Sequence, residues 1–211
     1  MNLILNIDTA AETAHVSFAK DGLILHVLKS DSQKEHAAFL QTAIQQLTKI
    51  TGIKLPDIDA ISVTAGPGSY TGLRVGLASA KGLCYALKKP LIAINTLEIL
   101  TVSALHLMQV TETDILFCPM MDARRKEVFT AIYQNDLTVC MAPCAMILDE
   151  SSFDKELNDN KILFFGSGSA KWEIICNRAN AIFKTVFILP EAMSKYSNSL
   201  YLQKKNYRFN L

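Results

Sequence analysis

The chain has 211 residues, half of them hydrophobic and 19% charged, with 21 Lys and Arg against 20 Asp and Glu. That composition excludes a disordered chain, which would be polar or strongly charged, and the length suffices to bury a sizeable core. A formal net charge of +1 excludes nucleic-acid binding driven by bulk charge, because such binding runs on phosphate neutralisation; any RNA contact would draw most of its basic surface from another subunit.

No basic stretch precedes Leu3-Ile4-Leu5, which argues against a secretory signal. No apolar run approaches the roughly 18 to 20 residues of a membrane span. The Cys residues (Cys84, Cys118, Cys140, Cys144, Cys176) are odd in number and scattered, the usage of a cytoplasmic protein with reduced thiols.

In chain order, residues 2–8 read as a buried strand ending in the carboxylate Asp8. Residues 14–19 alternate apolar with polar or small side chains, and 22–29 form a second apolar run. The Asp21-Gly22 pair between them is a tight-hairpin signal, so three strands open the chain as a meander. The period then changes. Leu40, Ala43, Ile44, Leu47 and Ile50 form one helical stripe, which Gly52 and Pro56 end. Residues 58–65 predict a fourth strand, 66–72 a glycine-rich turn, 71–88 a second helix, 91–95 a fifth strand and 96–108 a third helix. This order predicts an α/β fold, a mixed sheet with helices on its face.

A second unit is expected from near Thr113, with strands over 115–121 and 128–134 and a turn at Asn135-Asp136 into a third. A short polar helix over 149–157 follows, then a strand over 161–165, Gly166-Ser167-Gly168-Ser169, and a helix to about Arg178. The first half-order thus recurs in reduced form. It predicts an N-terminal lobe over 1–110 and a reduced C-terminal lobe over 111–211.

Gly66-Pro67-Gly68-Ser69-Tyr70-Thr71-Gly72 follows a strand and opens a helix, where free N–H groups attract an anion. A dinucleotide site wants an acidic residue about 20 positions on, yet no Asp or Glu lies between Asp59 and Glu98. A P-loop fails for want of Gly-Lys-Ser/Thr, and a hydrolase elbow fails because Tyr70 stands where Ser is needed. A phosphate cradle and a ligand-free strand–helix junction both remain open. Asp8-Thr9-Ala10 is either the holder of a metal-bound phosphate or a turn. The run from Asp122 to Glu127 is either a charged site or a solvated turn. Gly72, Gly76, Ser79, Ala80 and Gly82 punctuate the second helix; each Gly costs about 1 kcal/mol there, which close packing, within the chain or against another helix, would offset.

No metal site is expected. His15 and His26 fall in separate strands, His36 is followed four residues on by Leu40, and His106 stands alone on its helix. No nucleophile–base set or carboxylate pair can be assigned.

Together, Ile7-Asp8-Thr9-Ala10, Glu35-His36, the run from Gly66 to Gly76, and Asp122-Ala123-Arg124 with Glu127-Val128 resemble the TsaB family, over residues 1 to about 170. The resemblance implies the two-lobed fold of actin, hexokinase and heat-shock chaperones. It also implies the role of a non-catalytic dimerisation subunit in the bacterial complex that installs the threonylcarbamoyl group on the adenosine beside the tRNA anticodon. In that system TsaC makes the threonylcarbamoyl-adenylate and TsaD transfers the group. The implied partners are a TsaD-type catalytic subunit and a TsaE-type ATPase, with tRNA reached through the complex and a homodimer formed without TsaD. His36 and Leu40 match the two metal-binding His of TsaD, so half of that pair is lost.

The resemblance further implies a subunit contact on the helices over about 35–50 and 71–88. Its interface residues would be His36, Leu40, Ala43, Ile44, Leu47, Arg74, Val75, Gly76, Ser79 and Ala80. Leu40, Ile44, Leu47 and one neighbour would yield roughly 6 to 12 kcal/mol on full burial, against an association cost of about 4 to 15 kcal/mol, so both helices are needed. Leu40→Asp or Gly76→Leu is then expected to weaken assembly while the chain stays folded. Asp8, Thr9, Gly66, Gly68 and Ser69 are the implied vestige of a nucleotide site; no cofactor is expected on the isolated chain, and ATP or ADP belongs at the interface of the complex. Only Glu191 to Ser199 separates Pro190 from Leu200-Tyr201-Leu202-Gln203, where family members carry a further helix, so the C-terminal element is expected to be missing or short. The alternative is a superfamily enzyme acting alone, a sugar-kinase-like phosphotransferase or a peptidase.

Overall fold

A computed structural model describes residues 1–31, 36–108 and 115–203. In chain order the elements are β1 (Leu3–Asp8), β2 (Ala14–Lys20), β3 (Leu23–Ser30), α1 (His36–Thr51), a 3₁₀ turn (Leu55–Asp57), β4 (Ala60–Thr64), α2 (Tyr70–Leu87), β5 (Leu91–Ile94) and α3 (Thr96–Met108). Then come β6 (Ile115–Asp122), β7 (Glu127–Tyr133), β8 (Val139–Ile147), α4 (Asp154–Asp159), β9 (Lys161–Phe165), α5 (Ser169–Glu173), β10 (Ala181–Lys184) and α6 (Pro190–Leu202). No helix among the described residues is long and apolar enough to cross a membrane.

Two compact units divide the chain, one of Met1–Thr96 with the segment from Ile188 onward, the other Leu97–Phe187. The division expected near residue 110 follows chain order, whereas the packing places α3 from Leu97 with the second unit and α6 with the first. The boundary expected near Thr113 lies outside the described residues.

The first unit holds a five-stranded sheet in the order β3-β2-β1-β4-β5. Its first three strands are antiparallel, while β4 and β5 run parallel to β1. Asp21 and Gly22, both at positive φ, make the tight β2–β3 turn. On one face of the sheet, Leu5, Ile7, Val16, Phe18, Ile61 and Val63 meet Leu40, Ala43, Ile44 and Leu47 of α1 and Ala80 and Cys84 of α2.

The opposite face carries α6. Asn6 Nδ2 donates to Ser194 Oγ at 3.3 Å, Ser197 Oγ donates to Asn6 Oδ1 at 2.7 Å, and Asn2 Nδ2 donates to Asn198 Oδ1 at 3.2 Å. The C-terminal segment expected to be short or missing is thus a 13-residue helix, opened by Pro190 in its first turn, where a missing N–H costs nothing. Because α6 covers this face, β2 is buried on both sides from Ala14 to Ala19, although its alternating pattern predicts one solvated face.

The second unit repeats the topology as β10-β9-β6-β7-β8, with β6 in the role of β1. Its two crossover helices have shrunk: α4 has 6 residues and α5 has 5, where α1 has 16 and α2 has 18. An aromatic cluster fills the space. Phe164 lies 4.5 Å from Trp172 between ring centroids, and Phe153 and Phe183 complete the group within 5.7 Å. Helix α4 starts later than expected because Asp149 Oδ1 accepts from Ser151 N, Ser151 Oγ and Ser152 Oγ, a turn that delays the helix. Helix α5 ends before Arg178, and β10 is a strand that no periodicity announces.

Candidate functional site

Strand β1 delivers Asp8 to the start of α2. Asp8 Oδ1 accepts from Thr64 Oγ1 at 2.8 Å and from Ala10 N at 3.1 Å. This carboxylate bends the chain so that the Thr9–Ala10 backbone lies against the glycine-rich turn. Ser69 N donates to Ala10 O at 2.8 Å, Thr9 Oγ1 donates to Gly72 O at 2.7 Å, and Thr96 N donates to Gly66 O at 2.8 Å. Ser69 caps α2, its Oγ accepting from Gly72 N at 3.3 Å. A Cβ at Gly68 would meet Ala10 O, one at Gly72 would meet Thr9 O, and one at Gly76 would meet Thr9 Oγ1, each far inside van der Waals contact.

Asp8, Thr9, Gly66, Gly68 and Ser69 therefore do come together, but they hold one another. The Ser69, Gly72 and Leu73 N–H groups are committed to Ala10 O, Ser69 Oγ and Ser69 O, and the space beside Gly68 and Gly72 is filled by the chain's own backbone. The turn is a splice between β1 and α2, with the chain's own backbone packed against Gly68 and Gly72.

Beside this splice lies a buried polar seam that sequence reasoning missed. Antiparallel register sets His15 opposite Asp8, with Nε2 3.5 Å from Asp8 Oδ2 and both side chains almost wholly buried. Asp8 Oδ2, both His15 nitrogens and the hydroxyls of Ser17, Ser62 and Thr96 find no hydrogen-bond partner among the described residues. Burial holds the His15 pKa below its ordinary value; the negative charge of Asp8 opposes this, Lys29 adds to it and Glu191 opposes it. Nothing in the sequence signals this pairing, because the tight turn at Asp21-Gly22 sets β2 against β3 and not against β1.

The expected partner interface needs correction. Leu40, Ala43, Ile44, Leu47 and Ala80 are at most 4% exposed, and Gly76 is buried on α2. The sheet already covers their surface, so a partner cannot gain from covering it. Val75 is half-buried against the same core, and Ser79 is half-buried with its Oγ accepting from Gln41 Nε2 at 2.9 Å. His36 opens α1 but its side chain, like Glu35, lies outside the described residues. Among the described side chains of the expected set, Arg74 alone stands in the open, its guanidinium 4.1 Å from the centre of the Tyr70 ring.

What α2 does present outward is a different stripe: Tyr70, Arg74, Ala78, Gly82 and Tyr85, all exposed, with Tyr70 at 68% and Tyr85 at 77%. Among the described residues outside its own turn of helix, nothing lies within 4 Å of where a Cβ on Gly82 would sit. Unlike Gly72 and Gly76, this glycine answers to no contact among the described residues.

In the second unit, Asp122 closes β6 as Asp8 closes β1. Its carboxylate sits 2.7 Å from Lys171 Nζ, and Ser167 Oγ accepts from Asp122 N at 3.1 Å. Partial burial opposes ionisation, but hydrogen bonds from Lys171 and from Arg124 N hold its pKa below the usual carboxylate range. Arg124 and Arg125 both take positive φ, so the run from Asp122 to Glu127 is a tight β6–β7 hairpin turn.

The profile of the family described as "TsaD: tRNA N6-adenosine threonylcarbamoyltransferase" matches residues 26–200. The tRNA threonylcarbamoyladenosine biosynthesis protein TsaB of Bacillus subtilis is 32% identical over 167 residues, covering 77% of this chain and 70% of that protein. The protein of the same description from Escherichia coli is 33% identical over 133 residues, 63% of this chain and 55% of its own length. Among solved structures, YeaZ from Pseudomonas aeruginosa superposes with a TM-score of 0.78 at 20% identity, covering 97% of this chain and 94% of that one. An inorganic polyphosphate/ATP-glucomannokinase from Arthrobacter reaches 0.51 at 9% identity, covering 95% and 100%. The fold is that of the actin, hexokinase and heat-shock chaperone group.

Two predictions follow from this geometry. Gly72→Ala and Leu40→Asp should each destabilise the isolated chain by more than about 2 kcal/mol, the first by clash and the second by burying a charge. Gly82→Ala should stabilise it by about 0.5 to 1 kcal/mol; urea midpoints decide both. The second concerns acid. With His15 holding its proton less tightly when folded, the unfolded chain protonates first below pH about 6.5. Stability is therefore intact above that value and falls with acid by up to about 1.4 kcal/mol per pH unit. Urea titrations at several pH values should show His15→Gln flattening that slope.

Proposed function

We propose that this chain, which belongs to the TsaB family, is the non-catalytic assembly subunit of the complex that installs the threonylcarbamoyl group on the adenosine beside the tRNA anticodon. It holds a TsaD-type catalytic subunit against the outward faces of α2 and α1. The names of its relatives supply the pathway; the observation that carries the contact is the outward stripe of α2 with Gly82 in open space.

A glycine in mid-helix costs about 1 kcal/mol against alanine. With no internal contact to offset that cost, the offset comes from a neighbour whose helix approaches closely. Tyr70 and Tyr85 flank the opening, and exposed aromatic side chains of this kind supply much of the binding energy where they become buried. A TsaE-type ATPase and tRNA join through the complex, in the cytoplasm. ATP or ADP is held where the subunits meet, since the glycine-rich turn is closed by its own backbone. In the absence of the catalytic subunit, a second copy of the chain is the competitor for the same face.

Gly82→Trp tests this. The indole projects into solvent in the free chain, so the thermal midpoint should hold within a few degrees, while co-purification with the organism's own TsaD-type subunit and tRNA modification in the reconstituted system should both fall at least about tenfold. Undiminished co-purification would overturn the proposed face. Calorimetry of the isolated chain with ATP and Mg²⁺ addresses the lone-enzyme alternative, which tight binding would favour.

A further inference from the structure

The two faces of the first sheet are unlike. Beneath α1 and α2 it presents Leu5, Ile7, Val16, Phe18, Ile61 and Val63. Alternation along the strands and the register of β1 with β2 and β4 place Asn6, Asp8, His15, Ser17 and Ser62 on the other face, all buried. That polar face is the one α6 covers.

Helix α6 matches it incompletely. Of the buried residues of α6, only Met193 and Leu200 are large and apolar. The helix answers Asn6 through Ser194 and Ser197. It leaves Asp8 Oδ2, both His15 nitrogens and the hydroxyls of Ser17 and Ser62 without a hydrogen-bond partner among the described residues. Polar atoms buried in that way oppose the burial. Nor do its ends secure the helix: among the described residues no side chain caps its N-terminus, and its last turn carries no cation. Thirteen residues form at best a marginal helix alone in water, so a released α6 unfolds.

His15 links this cover to acid. Register sets it between Asp8 of β1 and Lys29 of β3, and the charge of Glu191, in the first turn of α6, reaches it. Asp8 and Glu191 favour the protonated imidazole and Lys29 opposes it, but burial outweighs them and keeps it neutral. With α6 lifted, His15 regains water and takes up a proton below pH about 6.5, which favours the lifted state.

We infer that α6 is a releasable strap: it lifts from the polar face of the first sheet as a unit while β1, β4 and the α1–α2 side stay packed, and acid promotes its release. The inference stands apart from the assembly reading, since it concerns the opposite face of the sheet.

Native-state hydrogen exchange of the full chain, read as protection factors between about pH 5 and about pH 7.5, tests it. At every pH the amides of α6 should be at least about tenfold less protected than the central amides of β1 and β4. Protection of α6 should fall by up to about tenfold for each pH unit below about 6.5, and His15→Gln should flatten that fall. Ile44→Val, which loosens the opposite face, should lower protection of β1 and β4 about two- to tenfold and leave α6 unchanged. Protection of α6 equal to that of β1 and β4, or falling in step with theirs in Ile44→Val, would mean that the helix leaves only when the whole unit unfolds, and overturns the strap. A flat wild-type profile for α6, or a slope retained in His15→Gln, overturns the link to acid. Should His15→Gln fail to fold, the wild-type profile and Ile44→Val decide.

Discussion

The first unit depends on how closely α2 lies on the Thr9–Ala10 backbone. Asp8 sets the bend by drawing Thr64 Oγ1 and Ala10 N to one carboxylate oxygen, and glycines at 68, 72 and 76 remove the side-chain atoms that would collide. With that contact made, the inward face of α2 is fixed as Gly72, Gly76, Ala80 and Cys84, every fourth residue. The outward face follows by geometry, since a helix pinned along one line presents the opposite line to whatever comes next. The orientation of the proposed assembly surface is therefore decided at the β1–α2 splice.

The sequence made the elements of this unit legible and hid their partners. A stripe at 40, 43, 44 and 47 states that one side of a helix is apolar; it does not state whether the covering surface belongs to the same chain. Here it does, and the interface expected at those positions was the misreading that followed. The glycines were ambiguous for the same reason, because Gly76 and Gly82 look alike in sequence and differ only in what a Cβ would meet. The burial of His15, Ser17 and Ser62 was hidden because α6 arrives from some 180 residues away in sequence, as the bond from Ser197 to Asn6 illustrates. Local periodicity carries no signal for a contact of that range.

The internal repeat shows which features are general to the topology and which are special to the first unit. The second unit rebuilds the splice: Gly168 N donates to Met120 O at 3.0 Å, and a Cβ at Gly166 would strike Met120 O, as Gly68 would strike Ala10 O. A carboxylate ends the first strand of each sheet, and each is held by its own neighbours. The repeat is lost in the helices. Cut to six residues or fewer, α4 and α5 rest on an aromatic cluster and offer no helical face of useful length, whereas α1 and α2 extend over four turns or more.

That asymmetry ties the closed turn to the open face. With the Ser69, Gly72 and Leu73 N–H groups held by the chain itself and backbone packed against Gly68 and Gly72, the strand–helix junction becomes a rigid mount. What the mount carries is a helix lacking carboxylates, with tyrosines at either end of its exposed stripe and a glycine that its own fold does not require. Gly72 and Gly76 serve the inside, and replacing them disturbs the mount. Gly82 serves the outside, and replacing it leaves the mount intact. One residue type thus answers two separable demands on a single helix, and the division between them is the line along which folding and assembly can be disrupted independently.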